Sequence, residues 1–217
     1  MPDGHGDRAV PAEGRAHVVR FLLALLLLSA LAGGLAWQAG ARVVSALMPA
    51  THWMLDRIDD RIGTTALAVE QGRNETVIRM RSRVVLPVVI GTGVLFPTGQ
   101  DGFEITTPLF GMLVPFVLAV GLAGAWPGSP WHRLLRAGLA GSLAFAWLLV
   151  DLPLSLHGFA WGALRDDHAP GTFYSSILWL EFMHAGGRLA VGVLLAALAC
   201  LALGPRQPRQ APSFAFP

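Results

Sequence analysis

The chain has 217 residues, 53% of them hydrophobic and only 14% charged, with a mean hydropathy of +0.54. That balance excludes an ordinary soluble globule, and a formal net charge of +2 without any basic run excludes a nucleic-acid binder, so lipid is the expected solvent for most of the chain. All 16 basic residues are arginine, a composition habit of a GC-rich genome, and the single Cys200 lies in an apolar run where neither an intramolecular disulfide nor a zinc set of cysteines is possible.

Residues 1–18 are rich in Gly, Pro and charge, without apolar periodicity, and are expected to be a disordered cytoplasmic tail. The run at 19–38 carries one charge, Arg20, at its start and then none, and it is long enough for a helix crossing roughly 30 Å of hydrocarbon. A cleavable signal peptide shares the basic flank, but the apolar stretch has the length of a span and ends on Trp37, so an uncleaved anchor is expected. Over 41–62, Val44, Leu47, Met48, Leu55, Ile58 and Ile62 recur at helical spacing among charged residues; this predicts an amphipathic helix, broken near Pro49.

Residues 64–107 change period. Arg79, Arg81 and Arg83 alternate with Ile78, Met80 and Val84, the pattern of a strand with one wet face. Turn residues at Gln71–Asn74 and at Gln100–Gly102 punctuate the segment, and short apolar stretches at 86–90 and 93–96 add further strands. A small antiparallel sheet of four or five strands follows. The arginine row is a candidate face for docking an acidic partner or anionic lipid, beside the simpler reading of a solvated face.

Three more spans are expected, at 108–125 with Pro115, at 134–156 with Asp151 and Pro153, and at 176–203. An interfacial turn rich in Trp and Pro joins the first two of these, a polar loop at 157–175 precedes the last, and 204–217 is a second disordered tail. Since the stretch after Arg188 is apolar for only about 15 residues, short of a crossing, its outer half must be sheltered by protein. The last three helices and the β segment are therefore expected to form one packed unit, with the first helix as its tether. The fold class is a mainly α membrane protein of about four transmembrane helices with a small extracytoplasmic β segment. Short loops carrying Arg133, Arg136, Arg206 and Arg209 place both termini in the cytoplasm of a bacterial inner membrane.

Charge inside a span is costly, so Asp151, Glu181, His184 and Arg188 form the candidate functional cluster. The spacing i, i+3 and i+7 stacks the last three on one face of a helix, where Arg188 can pair with Asp151 or with Glu181. Such a cluster can hold a peptide, a lipid headgroup or a proton, or it can simply cross-link helices. Gly186, Gly187 and Gly192 read as a small-residue packing face. His157 and His168, with Asp166 and Asp167, are polar-loop residues without a recognised metal-ligand spacing. No nucleophile elbow, zinc-protease, P-loop or dinucleotide motif occurs, so no catalytic, cofactor-binding or metal-binding residue is assigned.

The order of parts, an anchoring span, a β segment and then the re-entry EITTPLFGMLVPFVLAVGLA at 104–123, resembles the small membrane proteins found with exosortase H, a bacterial protein-sorting transpeptidase. The resemblance implies a non-catalytic accessory subunit whose partners are a membrane protein and lipid. An exosortase itself would present a Cys, Arg and His set, whereas Cys200 is in an apolar helix. Two readings stand beside this one: a small transporter or lipid-handling protein using the polar cluster, and a stabilising subunit of an energy-transducing complex. A cavity reaching mid-membrane favours transport; a continuous apolar surface favours a subunit.

Overall fold

The computed structural model describes residues 12–73, 75–97 and 102–204. The expected tails therefore lie largely outside the described residues, as do Asn74 of the first turn and residues 100 and 101 of the second. The elements run α1 Ala12–Ile58, β1 Ile62–Gln71, β2 Thr76–Val84, β3 Val88–Ile90, β4 Gly93–Leu95, β5 Phe103–Pro108, α2 Leu109–Ala125, α3 Pro130–His168, α4 Ser175–Phe182, a π-helical turn Met183–Gly187, and α5 Arg188–Ala202. By length and composition three helical stretches are able to cross a membrane, 15–58, 130–168 and 175–202, and α2 is a shorter apolar helix of 17 residues.

Two helices are longer than their apolar cores require. At 1.5 Å per residue, the 47 residues of α1 reach roughly 70 Å and the 39 of α3 roughly 58 Å, about twice a hydrocarbon layer. The sequence separates an anchor at 19–38 from an amphipathic helix at 41–62 broken near Pro49, but α1 is continuous through both the junction and the proline. Proline removes one backbone donor. The turns on both sides are held in place: Val44, Leu47 and Leu55 are buried, and the Thr51 hydroxyl donates to the Leu47 carbonyl at 3.0 Å. Residues 12–18, expected in a disordered tail, continue the same helix, since Ala12, Glu13 and Ala16 are good helix formers adjoining an apolar nucleus.

The expected polar loop at 157–175 is likewise mostly helix, because α3 runs on to His168. Its polar letters conceal a buried stripe of Leu156, Ala160, Trp161 and Leu164 at helical spacing. That stripe packs with Leu47 and Leu55 of α1, Ile78 and Met80 of β2, and Ile105 of β5 in one apolar core. The ends of α1 and α3, α4 and the strands thus build a cap on the bundle. A second core, rich in alanine, joins α2, α3 and α5 through Ala119, Ala123, Ala140, Ala144 and Ala199.

The strands form a three-stranded antiparallel sheet of order β1-β2-β5 and a separate β3–β4 hairpin. Alternation holds along β2: Ile78, Met80, Ser82 and Val84 are buried while Arg81 and Arg83 are exposed. Strand β5 leads without a loop into α2. Helix α1 is more than a tether, for it packs antiparallel along α2, with Leu28 beside Gly124, Gly33 beside Val117 and Gly40 beside Leu113.

Candidate functional site

Of the four candidate residues, the structure brings two together. Asp151 of α3 and Arg188, the first residue of α5, are both buried, at 0% and 7% exposure. Arg188 Nε donates to Asp151 Oδ2 at 3.1 Å and Nη2 donates to Ser155 Oγ at 3.0 Å. Ser155 in turn donates to Asp151 Oδ1 at 2.9 Å, and the Trp179 indole of α4 donates to the same oxygen at 3.3 Å. Nη2 also lies 3.0 Å from the Met112 sulfur of α2. Four helices therefore meet on one ion pair whose carboxylate accepts three donors, the arrangement that makes a buried charge tolerable.

Glu181 and His184 stand apart, and the cause is backbone geometry. The spacing argument assumes an unbroken helix, whereas the π turn intervenes and Gly186 takes φ 116°, a conformation closed to ordinary L residues. Glu181 and His184 consequently line an open groove between α3, α4 and β5, where Arg165 lies 3.6 Å from Glu181 and 2.9 Å from Asp166. His184 Nδ1 donates to the Leu180 carbonyl at 2.9 Å, and its ring meets Phe159 edge to face. Gly192 packs against Leu118 of α2 and Gly187 against Phe182, so the small-residue face divides into two packing glycines and one conformational glycine.

The arginine row lies on the wet face of β2. Arg79 is 3.1 Å from Glu70 and 3.2 Å from Glu104, and Arg81 is 2.9 Å from Glu104, so cross-strand acids from β1 and β5 occupy two of the three guanidinium groups. Arg83, with no acid beside it among the described residues, is the exposed remainder of the proposed docking face.

A second polar constellation was not legible in the sequence. Where α1 ends, Asp59 meets His157 and Trp161, which lie one turn apart on α3. Asp59 Oδ2 is 3.3 Å from His157 Nε2 and accepts from the Trp161 indole at 3.1 Å, while Oδ1 accepts from the Arg61 backbone N–H at 2.9 Å. The indole nitrogen is also 3.0 Å from His157 Nε2. A proton on Nε2 makes the set self-consistent, because imidazole and indole then both donate to one carboxylate oxygen. A carboxylate just past a helix C-terminus faces the negative end of the dipole, so these donors offset an unfavourable position. The trio floors a cleft of about 710 Å³ that Tyr174 also lines. His168 instead bonds its own helix at the Leu164 carbonyl, so the loop histidines are not brought together. The i, i+4 pair His157 and Trp161 was the available signal, hidden by reading the segment as a loop.

No family model matches the chain, and comparison with characterised proteins and with solved structures finds no match. What the fold and site define is a class: a mainly helical protein with three helical stretches long and apolar enough to cross a membrane, a small antiparallel sheet and, among the described residues, a sealed ion pair tying its bundle together.

Proposed function

We propose that the chain is a non-catalytic accessory or scaffold protein of a bacterial inner membrane, crossing it four times with both ends in the cytoplasm and the β-bearing cap outside, and serving a protein-sorting system of exosortase type. The observation that carries the scaffold reading is the sealed ion pair. The Asp151 and Arg188 charges buried between the spans are spent on each other and on Ser155 and Trp179, and the buried Arg136 donates to the Pro127 carbonyl at 3.0 Å, an arrangement that suits a helix lock better than a transport path. Facing outward from the cap, the β3–β4 hairpin pairs Val89 with Val94, at 64% and 49% exposure, and Phe96 follows at 68%; an uncharged apolar face of this kind suits a protein partner. The topology is supported by arginines 20, 133 and 136 gathered at one end of the bundle with Trp126 and Trp131. The exosortase link rests on the likeness of part order and of residues 104–123.

The test is purification from native membranes in mild detergent with the partner left in place. A scaffold is recovered with a membrane protein in fixed stoichiometry, and that protein is lost when Val89 and Val94 are both changed to Ser. Recovery only as a lone monomer overturns the reading. An apolar crevice of about 230 Å³ between α1, α2 and α3, lined by Leu35, Met112 and Phe145 among others, supports a second reading, a lipid-handling protein.

A further inference from the structure

The cleft over Asp59 holds both signs of charge around an aromatic floor. Asp60 and Arg61 are exposed at its rim beside Arg57, whose guanidinium is held 4.5 Å above the Trp53 ring. Trp161 and Tyr174 stack at 4.8 Å with planes tilted by 31°, forming one wall. Beneath them the Asp59 carboxylate is fixed by its three donors, so its charge is pre-organised rather than mobile.

Depth narrows the choice of ligand. On the membrane placement proposed above, on which this inference rests, the third span ends near Leu156, and His157 is the first residue past it. Trp161 stands roughly 6 Å higher by helix rise. Measured along α3, the polar headgroup layer, about 5–7 Å thick on each side of the hydrocarbon, takes in the cleft floor. A ligand met there carries a phosphate, which guanidinium groups bind by paired hydrogen bonds, and its other end must satisfy a carboxylate and an aromatic face.

We infer that this cleft is a site for the headgroup of a zwitterionic phospholipid bearing a primary ammonium, of phosphoethanolamine type. Arg57 and Arg61 take the phosphate, Asp60 accepts hydrogen bonds from the ammonium, and the Trp161–Tyr174 wall faces its charge. A choline headgroup keeps the charge but has no N–H to donate to Asp60, and a glycerol headgroup lacks the charge altogether. The three headgroups therefore differ by one recognised feature each.

The experiment presents the full chain in detergent with equimolar phosphatidylethanolamine, phosphatidylcholine and phosphatidylglycerol, and counts retained lipids by native mass spectrometry. The expected result is one retained ethanolamine lipid, favoured about tenfold, the value of one charge-assisted hydrogen bond. Asp60→Asn should bring the ethanolamine lipid down to the level of the glycerol lipid, and the pair Arg57→Gln, Arg61→Gln should lower both. All three side chains are exposed, so unchanged thermal unfolding of the variants certifies the fold. Equal retention of the three lipids, or variants indistinguishable from wild type, overturns the site. Displacement by soluble phosphoethanolamine at micromolar concentration reassigns it to a water-borne zwitterion and overturns the lipid. Alkali extraction from vesicles scores the underlying reading separately: a chain that washes out fails the membrane placement, whereas one that stays without headgroup preference fails only the site.

Discussion

Asp151 and Asp59 are both carboxylates that accept a tryptophan N–H and meet a basic side chain from a distant part of the chain, yet their surroundings differ in kind. Asp151 is shut between four helices, with 1% of its side chain exposed, and its partner Arg188 is always charged. Asp59, at 12%, floors a cleft that opens to water, and its partner His157 is titratable. A sealed pair whose carboxylate accepts three donors acts as a bolt. An open one with as many donors is a platform, because a ligand can reach the groups around it.

The bolt can be broken most severely from one side. Arg188→Met leaves Asp151 buried without its counter-charge and should lower stability by about 3–5 kcal/mol, read by thermal unfolding in detergent. The double variant Arg188→Met, Asp151→Leu should recover most of that loss, since replacing both partners with apolar groups of similar volume is often close to neutral. If the double variant is as unstable as the single, the pair is not a self-contained lock.

A smaller effect is expected where α4 lies on α3. A Cβ at Gly158 would stand 2.6 Å from the Ser176 carbonyl oxygen and 3.1 Å from Leu180, so Gly158→Ala must push the helices apart. A cost of about 1–3 kcal/mol, the usual range for overpacking, should appear as lost protection of α4 in hydrogen exchange with the α2–α5 interface unaffected. Smallest of all should be Glu181→Gln. Its side chain is 62% exposed and 3.6 Å from Arg165, and exposed pairs are worth about 0–1 kcal/mol, so unfolding should scarcely move. A large loss there would return Glu181 to the locking network and erase the contrast between the two regions.

The sequence by itself determined the apolar helices, the alternation of β2 and the need of Arg188 for a carboxylate, Asp151 or Glu181. These follow from local periodicity and from the cost of charge in an apolar medium, both properties of short stretches. What tertiary structure decided was continuity and closure. Helix α1 survives Pro49 and α3 continues past His157 because burial against the strands outweighs proline and polar letters. Conversely, the π turn at Gly186 ends a face that spacing alone had joined, turning Glu181 and His184 away from Arg188. The Asp59–His157 contact links residues 98 positions apart, a distance over which no periodicity carries information. Only the packing of the cap on the bundle creates it.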